Sequence, residues 1–359
     1  MPRPVTIVGG GLAGLTLGIG LRRRNVPVSV FEAGTYPRHR VCGEFISGRG
    51  QAALARLGLR PLLGEVGAVH ALTAAFFSAA GSTGPRWLPS PAICLSRFTL
   101  DAALAKKFRE LGGNLQTGTR WPVVGVQPSA CPDTPGRELQ PEGIVQATGR
   151  HPSTGGNGPH WFGLKIHARN VVLTAGLEMH ISPRGYVGLC QINDGGVNVC
   201  GLFRRRGNEN GGGENGRDLL RGPPGSPLHR RLAGAEFVED SFCAVAGLSL
   251  QPRPAAGRAG ICLGDAITMI PPVTGNGMSM AFESAELAVA PLAAWSRGEV
   301  SWDEARAKIA RDCDAAFAGR LGWAKWLQRI ILTPALHSPL IALAARSDWF
   351  WRLAFAHTR

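Results

Sequence analysis

The spacing of apolar and polar positions changes character along the chain, and each change predicts a different element. Val5-Thr6-Ile7-Val8 is a short β-branched run broken only by Thr6, which predicts a strand buried on both faces of a parallel sheet. An apolar stretch then predicts a helix, and Val28-Ser29-Val30-Phe31-Glu32-Ala33 a second strand and its end. Leu100, Leu104, Phe108 and Leu111 recur at helical spacing ahead of Gly112-Gly113, with Thr99 or Asp101 placed to cap that helix. From residue 162 to 203 the period falls to two, in runs at 163–167, 177–181, 185–190 and 197–203. With Asp194-Gly195-Gly196 as a tight turn, these runs predict an antiparallel sheet. Helical spacing returns at Ile309, Cys313, Phe317 and Leu321.

Weaker signals fill the intervals. Residues 50–57 and 279–290 read as helices, 69–77 as a strand of a hairpin, and 123–126 and 144–150 as strands. Residues 204–227, rich in arginine, glycine and asparagine, read as a connection. A chain of 359 residues favours two domains. The expected organisation is α/β, with a discontinuous dinucleotide domain from 1–65, 93–150 and 246–300. A substrate domain from 66–92 and 151–245 is inserted in it, and helices from 301–359 follow.

The first junction carries candidate chemistry. Gly9, Gly11 and Gly14 stand at G-x-G-x-x-G spacing between the first strand and its helix. The first glycine makes the turn, the second admits a pyrophosphate, and the third lets helix and strand pack closely. The amides around Leu12 and Ala13 then face phosphate charge at the helix N-terminus. Glu32, 18 residues after Gly14 and followed by Ala33, is placed to accept ribose hydroxyls. The same spacing recurs at Gly211, Gly213 and Gly216 in a polar stretch with no preceding strand, and reads there as loop. A signal peptide is the competing reading of residues 7–21, but Arg22-Arg23-Arg24 follows the apolar run instead of preceding it.

Composition narrows the partners. The net charge is +14, yet 34 of the 39 basic residues are arginines scattered along the chain rather than a basic stripe interleaved with aromatics. Nucleic acid is therefore not expected. The eight cysteines form no C-x-x-C pair, and His39 with Cys42 has no second pair to complete a zinc site. Reduced thiols in a cytoplasmic protein and no metal are the expectation.

The loop Pro37-Arg38-His39-Arg40-Val41-Cys42-Gly43-Glu44, directly after a Rossmann unit ending in Glu-Ala, resembles FAD-dependent oxidoreductases. That group includes the geranylgeranyl reductases and, more distantly, aromatic hydroxylases of group A flavin monooxygenase type and flavin halogenases. A second stretch strengthens the resemblance: Gly264-Asp265-Ala266 closes an apolar strand, and Pro272-Val273-Thr274-Gly275-Asn276-Gly277-Met278 opens a helix. Asp265 could hold ribityl hydroxyls there, while Gly275 to Gly277 lets helix amides approach the flavin pyrimidine edge. The resemblance implies a fold of the glutathione reductase or p-hydroxybenzoate hydroxylase type. It implies FAD as cofactor, NAD(P)H as transient reductant, and Arg40, Cys42 and Arg97 as further cofactor contacts. Glu44 and Tyr186 are candidate substrate contacts, although a solvated arginine at 97 and an ordinary strand aromatic at 186 remain open.

The reaction is less determined. Thr148 stands where aromatic hydroxylases generally have aspartate, which pulls toward the reductases. Their Tyr-x-Trp-x-Phe-Pro segment is replaced here by Gly185-Tyr186-Val187-Gly188-Leu189-Cys190, and the halogenases' Trp-x-Trp-x-Ile-Pro is absent. A monooxygenase acting on a hydrophobic aromatic or polyketide-like molecule is the first expectation, with a polyprenyl reductase as alternative and a non-catalytic flavin-binding protein behind both. No catalytic side chain is assigned. At the C-terminus, Trp323, Trp326, Trp349 and Trp351 interleave with arginines, and Pro334 and Pro339 interrupt any span. Those helices suit a cap on the substrate domain or peripheral membrane contact.

Overall fold

The computed structural model describes residues 1–121, 141–150, 160–205 and 216–356. The chain opens with β1 (Val5–Val8), α1 (Leu12–Arg22) and β2 (Val28–Glu32), followed by β3 (Phe45–Ile46), α2 (Gly48–Arg56) and α3 (Arg60–Glu65). Next come β4 (Val69–Ser78), β5 (Gly81–Ser82), β6 (Arg86–Cys94), α4 (Arg97–Glu110), β7 (Asn114–Thr117) and β8 (Ile144–Gln146). The middle of the chain supplies β9 (His160–Arg169), β10 (Leu177–Ser182), β11 (Gly185–Gln191), β12 (Val197–Arg205), α5 (Gly216–Arg221), α6 (Pro227–Arg231) and β13 (Glu236–Leu248). The last part is β14 (Ile261–Cys262), α7 (Gly277–Arg297), α8 (Trp302–Ile331), α9 (His337–Arg346) and α10 (Asp348–Ala356).

Two sheets result. The first is wholly parallel in the order β14-β8-β1-β2-β7, with Ile7 opposite both Val30 and Val145. Its central strands β1 and β2 bury Val5, Ile7, Val28 and Val30 in a core shared with α1, and α7 and α8 extend the same core, which runs from Val5 through Leu17 and Phe108 to Phe282, Trp295 and Phe317. The second sheet runs β13-β9-β12-β11-β10-β4-β6-β3. It is antiparallel as predicted except between β10 and β4, which pair in parallel with Leu177 opposite Ala74. The parallel contact arises because β10 is added beside a strand laid down a hundred residues earlier, not beside a hairpin partner.

Several local expectations shift. Ser96, not Thr99 or Asp101, caps α4, its hydroxyl accepting from the Phe98 amide at 3.2 Å, and Asp101 is instead buried inside the helix against Arg97. α7 continues to Arg297, past Pro291, and stops at Gly298 with φ +81°. α2 begins at Gly48 rather than residue 50. The strand expected over 123–126 lies outside the described residues. In α8, Ile309, Cys313, Phe317 and Leu321 are buried along one face as predicted. α8 packs on α7, whereas α9 and α10 pack against the β4–β6 region of the second sheet.

Candidate functional site

β1 leads into α1 through a loop that only glycine can form. Gly9 has φ +108°, and a Cβ there would lie 2.3 Å from the Ala147 carbonyl oxygen at the end of β8. A Cβ on Gly14 would lie 1.9 Å from the Gly9 carbonyl oxygen, so the helix rests directly on the loop. At Gly11 the opposite holds: φ is −81° and nothing lies within 4 Å of a Cβ. Gly11 also caps α1 without a side-chain hydrogen bond, so the first-turn amides of Leu12, Ala13 and Gly14 have no intrahelical acceptor and no cap.

Glu32 closes this end. One carboxylate oxygen accepts from the Gly10 amide at 2.9 Å, and the other from the Gly34 amide at 2.8 Å and from Arg38 at 2.8 Å. Arg40 stands 3.8 Å away. Burial alone would raise this carboxyl, but the Gly34 amide and the two guanidiniums outweigh it and hold Glu32 below its ordinary range. A carboxylate has about four acceptor sites, and with the two amides and Arg38 already on it one remains open to a ribose hydroxyl. Tyr36 donates to the Gly10 carbonyl and would clash with any side chain at Gly10. Ala33 lies exposed next to Glu32.

The second glycine stretch comes to the same place. Gly264, at φ +57°, packs between the first turns of both long helices: a Cβ there would meet Ala13 of α1 at 3.3 Å and Ala281 of α7 at 3.5 Å. The N-termini of α1 and α7 therefore converge beside Asp265. α7 is also uncapped by a side chain, and Gly277 has nothing within 4 Å of a Cβ. Gly275, at φ +64°, would collide with the Phe45 ring if it carried a Cβ, and Met278 is buried beneath the helix start. Pro272 opens a short 3-10 turn over Pro272–Thr274 that sets up this approach. Asp265 lies 3.9 Å from Arg150 in a shallow cleft that is also lined by Arg253 and Arg258. Burial raises its carboxyl, with Arg150 and Arg97 pulling the other way.

The loop after Arg40 is tied to α7 across more than two hundred residues. The Ser47 hydroxyl donates to Asn276 Oδ1 at 2.9 Å and lies 2.7 Å from the Ser279 hydroxyl, while the Ser47 amide donates to that same Ser279 oxygen. Cys42 lies beside Arg97, and burial pushes its thiol up. Arg97 is held by a bidentate pair with Asp101 at 2.6 and 2.8 Å, which keeps the guanidinium charged despite its burial. These residues all gather on one side of the first sheet's C-terminal edge, where open α/β sheets bind ligands.

Glu44 bonds into the second sheet through Lys165 and His167. It is fully buried at φ +57°, with one oxygen accepting from the Arg97 amide at 2.8 Å and lying 3.5 Å from Lys165 Nζ. The other oxygen bonds His167 Nε2 at 2.7 Å. Lys165, also 0% exposed, donates to His39 Nδ1 at 3.1 Å. Burial, then the charges of Lys165 and His167, push His39 down to about 4. Burial alone would raise Glu44, but His167 and Lys165 hold it low.

Tyr186 is brought to the other end of the same sheet face. It is buried with Trp161, Leu202, Leu248 and Val273, with Met179 packed alongside, so an apolar wall adjoins the Pro272–Thr274 turn. Its hydroxyl makes no hydrogen bond of normal geometry and burial pushes it well up.

Sequence reasoning missed Gly10, Tyr36, Ser47, Lys165, His39 and His167 as members of these clusters. For Lys165 and His167 the signal was present: alternate polar residues in an apolar strand. That pattern reads as a solvent face, but here the face meets the loop 39–44.

The segment 7–44 matches the model of the NAD(P)-binding Rossmann-like domain. No curated protein matches the sequence. Among solved structures, a flavoprotein/dehydrogenase from Cytophaga hutchinsonii is similar with TM-score 0.74 and 14% identity, over 99% of this chain and 92% of that one. The flavin-dependent brominase Bmp2 is similar with TM-score 0.71 and 16% identity, over 99% and 92%. PqsL, a probable FAD-dependent monooxygenase from Pseudomonas aeruginosa, is similar with TM-score 0.69 and 18% identity, over 95% and 98%. With a Rossmann-like unit at 7–44 and a large second sheet over its edge, the chain has the fold of the FAD-dependent monooxygenases and halogenases.

Proposed function

We propose that this chain is an FAD-dependent oxidoreductase, reduced by NAD(P)H, that hydroxylates a hydrophobic aromatic or polyketide-like small molecule. The observation that carries the cofactor assignment is the convergence of two uncapped helix N-termini on Gly264 and Asp265, each with an open glycine, Gly11 and Gly277, at its mouth. A mononucleotide or nicotinamide needs one such terminus; a flavin joined to an adenosine through a pyrophosphate uses both. The open glycines and absent caps fit that group.

In this reading Glu32 holds the adenosine ribose, the α1 amides the pyrophosphate, Asp265 the ribityl chain, and Gly275 to Gly277 the pyrimidine edge. When bound, FAD supplies the electron transfer from nicotinamide and the activation of oxygen. The protein's part is placement and exclusion of water. The wall of Tyr186, Trp161, Met179 and Leu202 would bind an apolar ring system, and the Tyr186 hydroxyl offers it one hydrogen bond. The Ser47–Asn276–Ser279 ties fix loop 42–47 against the start of α7, so the peptides at Cys42 and Gly43 hold their distance from the ring.

The second reading, saturation of a polyprenyl double bond, rests on Cys42, whose thiol lies against Arg97 in this loop. Rapid mixing with NADPH, with and without oxygen, separates the two while flavin absorbance is followed at about 450 nm, a wavelength fixed by the cofactor. Substrate-accelerated bleaching by an aromatic compound, with reoxidation only in oxygen, is the expected result. Anaerobic reoxidation by an unsaturated lipid would transfer the assignment to the reductase. Flavin that stays oxidised with NADPH and NADH would defeat both.

A further inference from the structure

Among the described residues no single helix is long and apolar enough to cross a membrane. α8 and the Pro334–Arg346 segment, bent by 91° at their junction, pass that test only as a broken pair. Beyond the bend, α9 and α10 are fastened to β6 by several bonds. Arg86 Nη1 donates to the Ala344 and Ala345 carbonyls at 2.6 and 2.8 Å, Arg86 pairs with Asp348, and Trp351 Nε1 donates to the Trp87 carbonyl at 2.8 Å. Trp351 is buried in this joint. The outer side of the two helices is not covered: Trp349 is 72% exposed and Leu343 is 46% exposed, each two residues from a buried position, Trp351 and Ile341, that faces inward.

Exposed tryptophan is costly on a surface that meets only water, because each indole buries a large apolar area when it finds a partner. The charge around these residues indicates which partner. Residues 322–356 contain Lys325, Arg329, Arg346 and Arg352 against one acid, Asp348, which Arg86 neutralises. Arg346 and Arg352 are exposed on α9 and α10, three residues after Leu343 and Trp349, and share their helix faces. Trp and Leu beside Arg, on short helices joined by a proline break, is the pattern of a segment lying in a headgroup layer. A second copy of the chain is the competing occupant, but it would bring another +14 chain against the first.

We propose that the outer face of α9 and α10 docks on an anionic lipid bilayer, with Trp349 and Leu343 entering the interface and Arg346 and Arg352 meeting lipid phosphates. The docking is peripheral and salt-sensitive, and it does not depend on the flavin assignment.

Sedimentation of the full chain with vesicles of equal parts phosphatidylcholine and phosphatidylglycerol tests it. The expected result is binding that is lost on pure phosphatidylcholine and in high salt. It should weaken at least about tenfold in the double variant Leu343→Ala/Trp349→Ala, a change of about 1.4 kcal/mol. A blue shift of tryptophan emission on vesicle binding, missing in that variant, should accompany it. No binding to the anionic vesicles at low salt would overturn the proposal. So would equal binding by wild type and the double variant, which would leave only general basic charge. Self-association abolished by the same two substitutions, without vesicle binding, would overturn it in favour of a second copy.

Discussion

Gly9, Gly11 and Gly14 belong to one motif but answer to different forces, and substitution separates them. Gly9→Ala drives a Cβ into the Ala147 carbonyl at a left-handed φ and should cost at least about 2 kcal/mol of stability. Gly11→Ala meets nothing and keeps an ordinary φ, so unfolding of the FAD-free protein should move by no more than about 0.5 kcal/mol while FAD affinity falls. Thermal unfolding beside a flavin fluorescence titration of both variants checks this; equal loss of stability in the two would mean that Gly11 serves packing instead. At Glu44, the balance rests on Lys165 and His167. Lys165→Met leaves a buried carboxylate short of its cation and should cost about 3–5 kcal/mol, most of it recovered by adding Glu44→Gln. Urea unfolding of the two singles and the double gives the coupling, and additive losses would contradict it.

The same cluster sets a pH dependence whose sign is fixed. His39, with its pKa depressed to about 4, binds protons more readily unfolded than folded as pH drops from its ordinary value of about 6.5. Stability is therefore lost as pH falls through that window. Glu44 is depressed from a carboxylate value of about 4.3, so its contribution is present above that pH and is lost below it, down through its folded pKa. Two adjoining segments of acid destabilisation are expected. His39→Gln should flatten the upper one alone in unfolding curves taken from pH 7 to pH 3; an unchanged slope would contradict the depressed histidine.

Elements show which features a sequence makes legible. β1, α1 and β2 were readable because a glycine turn, an apolar helix and an acidic strand end are all decided within thirty residues. The four period-two runs became β9 to β12 for the same local reason. What was not readable depends on partners far along the chain. Asp101 looked like a cap and is a buried partner of Arg97; the partners of Glu44, Lys165 and His167, lie over a hundred residues away and left no signal local to Glu44. The cap of α8 was legible and overlooked: Ser301-Trp302-Asp303-Glu304 forms a reciprocal box, with the Ser301 hydroxyl accepting from the Glu304 amide and the Glu304 carboxylate from the Ser301 amide. Ser301→Ala should cost about 1 kcal/mol, read as a lowered midpoint in thermal unfolding. A shift within error would mean that packing on α7 alone fixes the start of α8.

For the whole molecule, a single arrangement links the parts. The parallel sheet presents two helix N-termini at one point, the second sheet covers that point with an apolar wall and a buried ionic cluster, and the serine ties at residue 47 lock the loop between them. The likeness to flavoenzyme structures at under 20% identity extends over nearly the full chain, so the fold is shared.

The most direct test of the account is a titration of the purified chain with FAD and, separately, with FMN, which lacks the adenosine half. The account predicts saturation at one FAD per chain, much weaker binding of FMN, and loss of that preference in Gly11→Ala, because only the α1 terminus and Glu32 distinguish the two. FMN binding as tightly as FAD, or no saturable binding of either, would contradict the claim that both helix termini serve one cofactor.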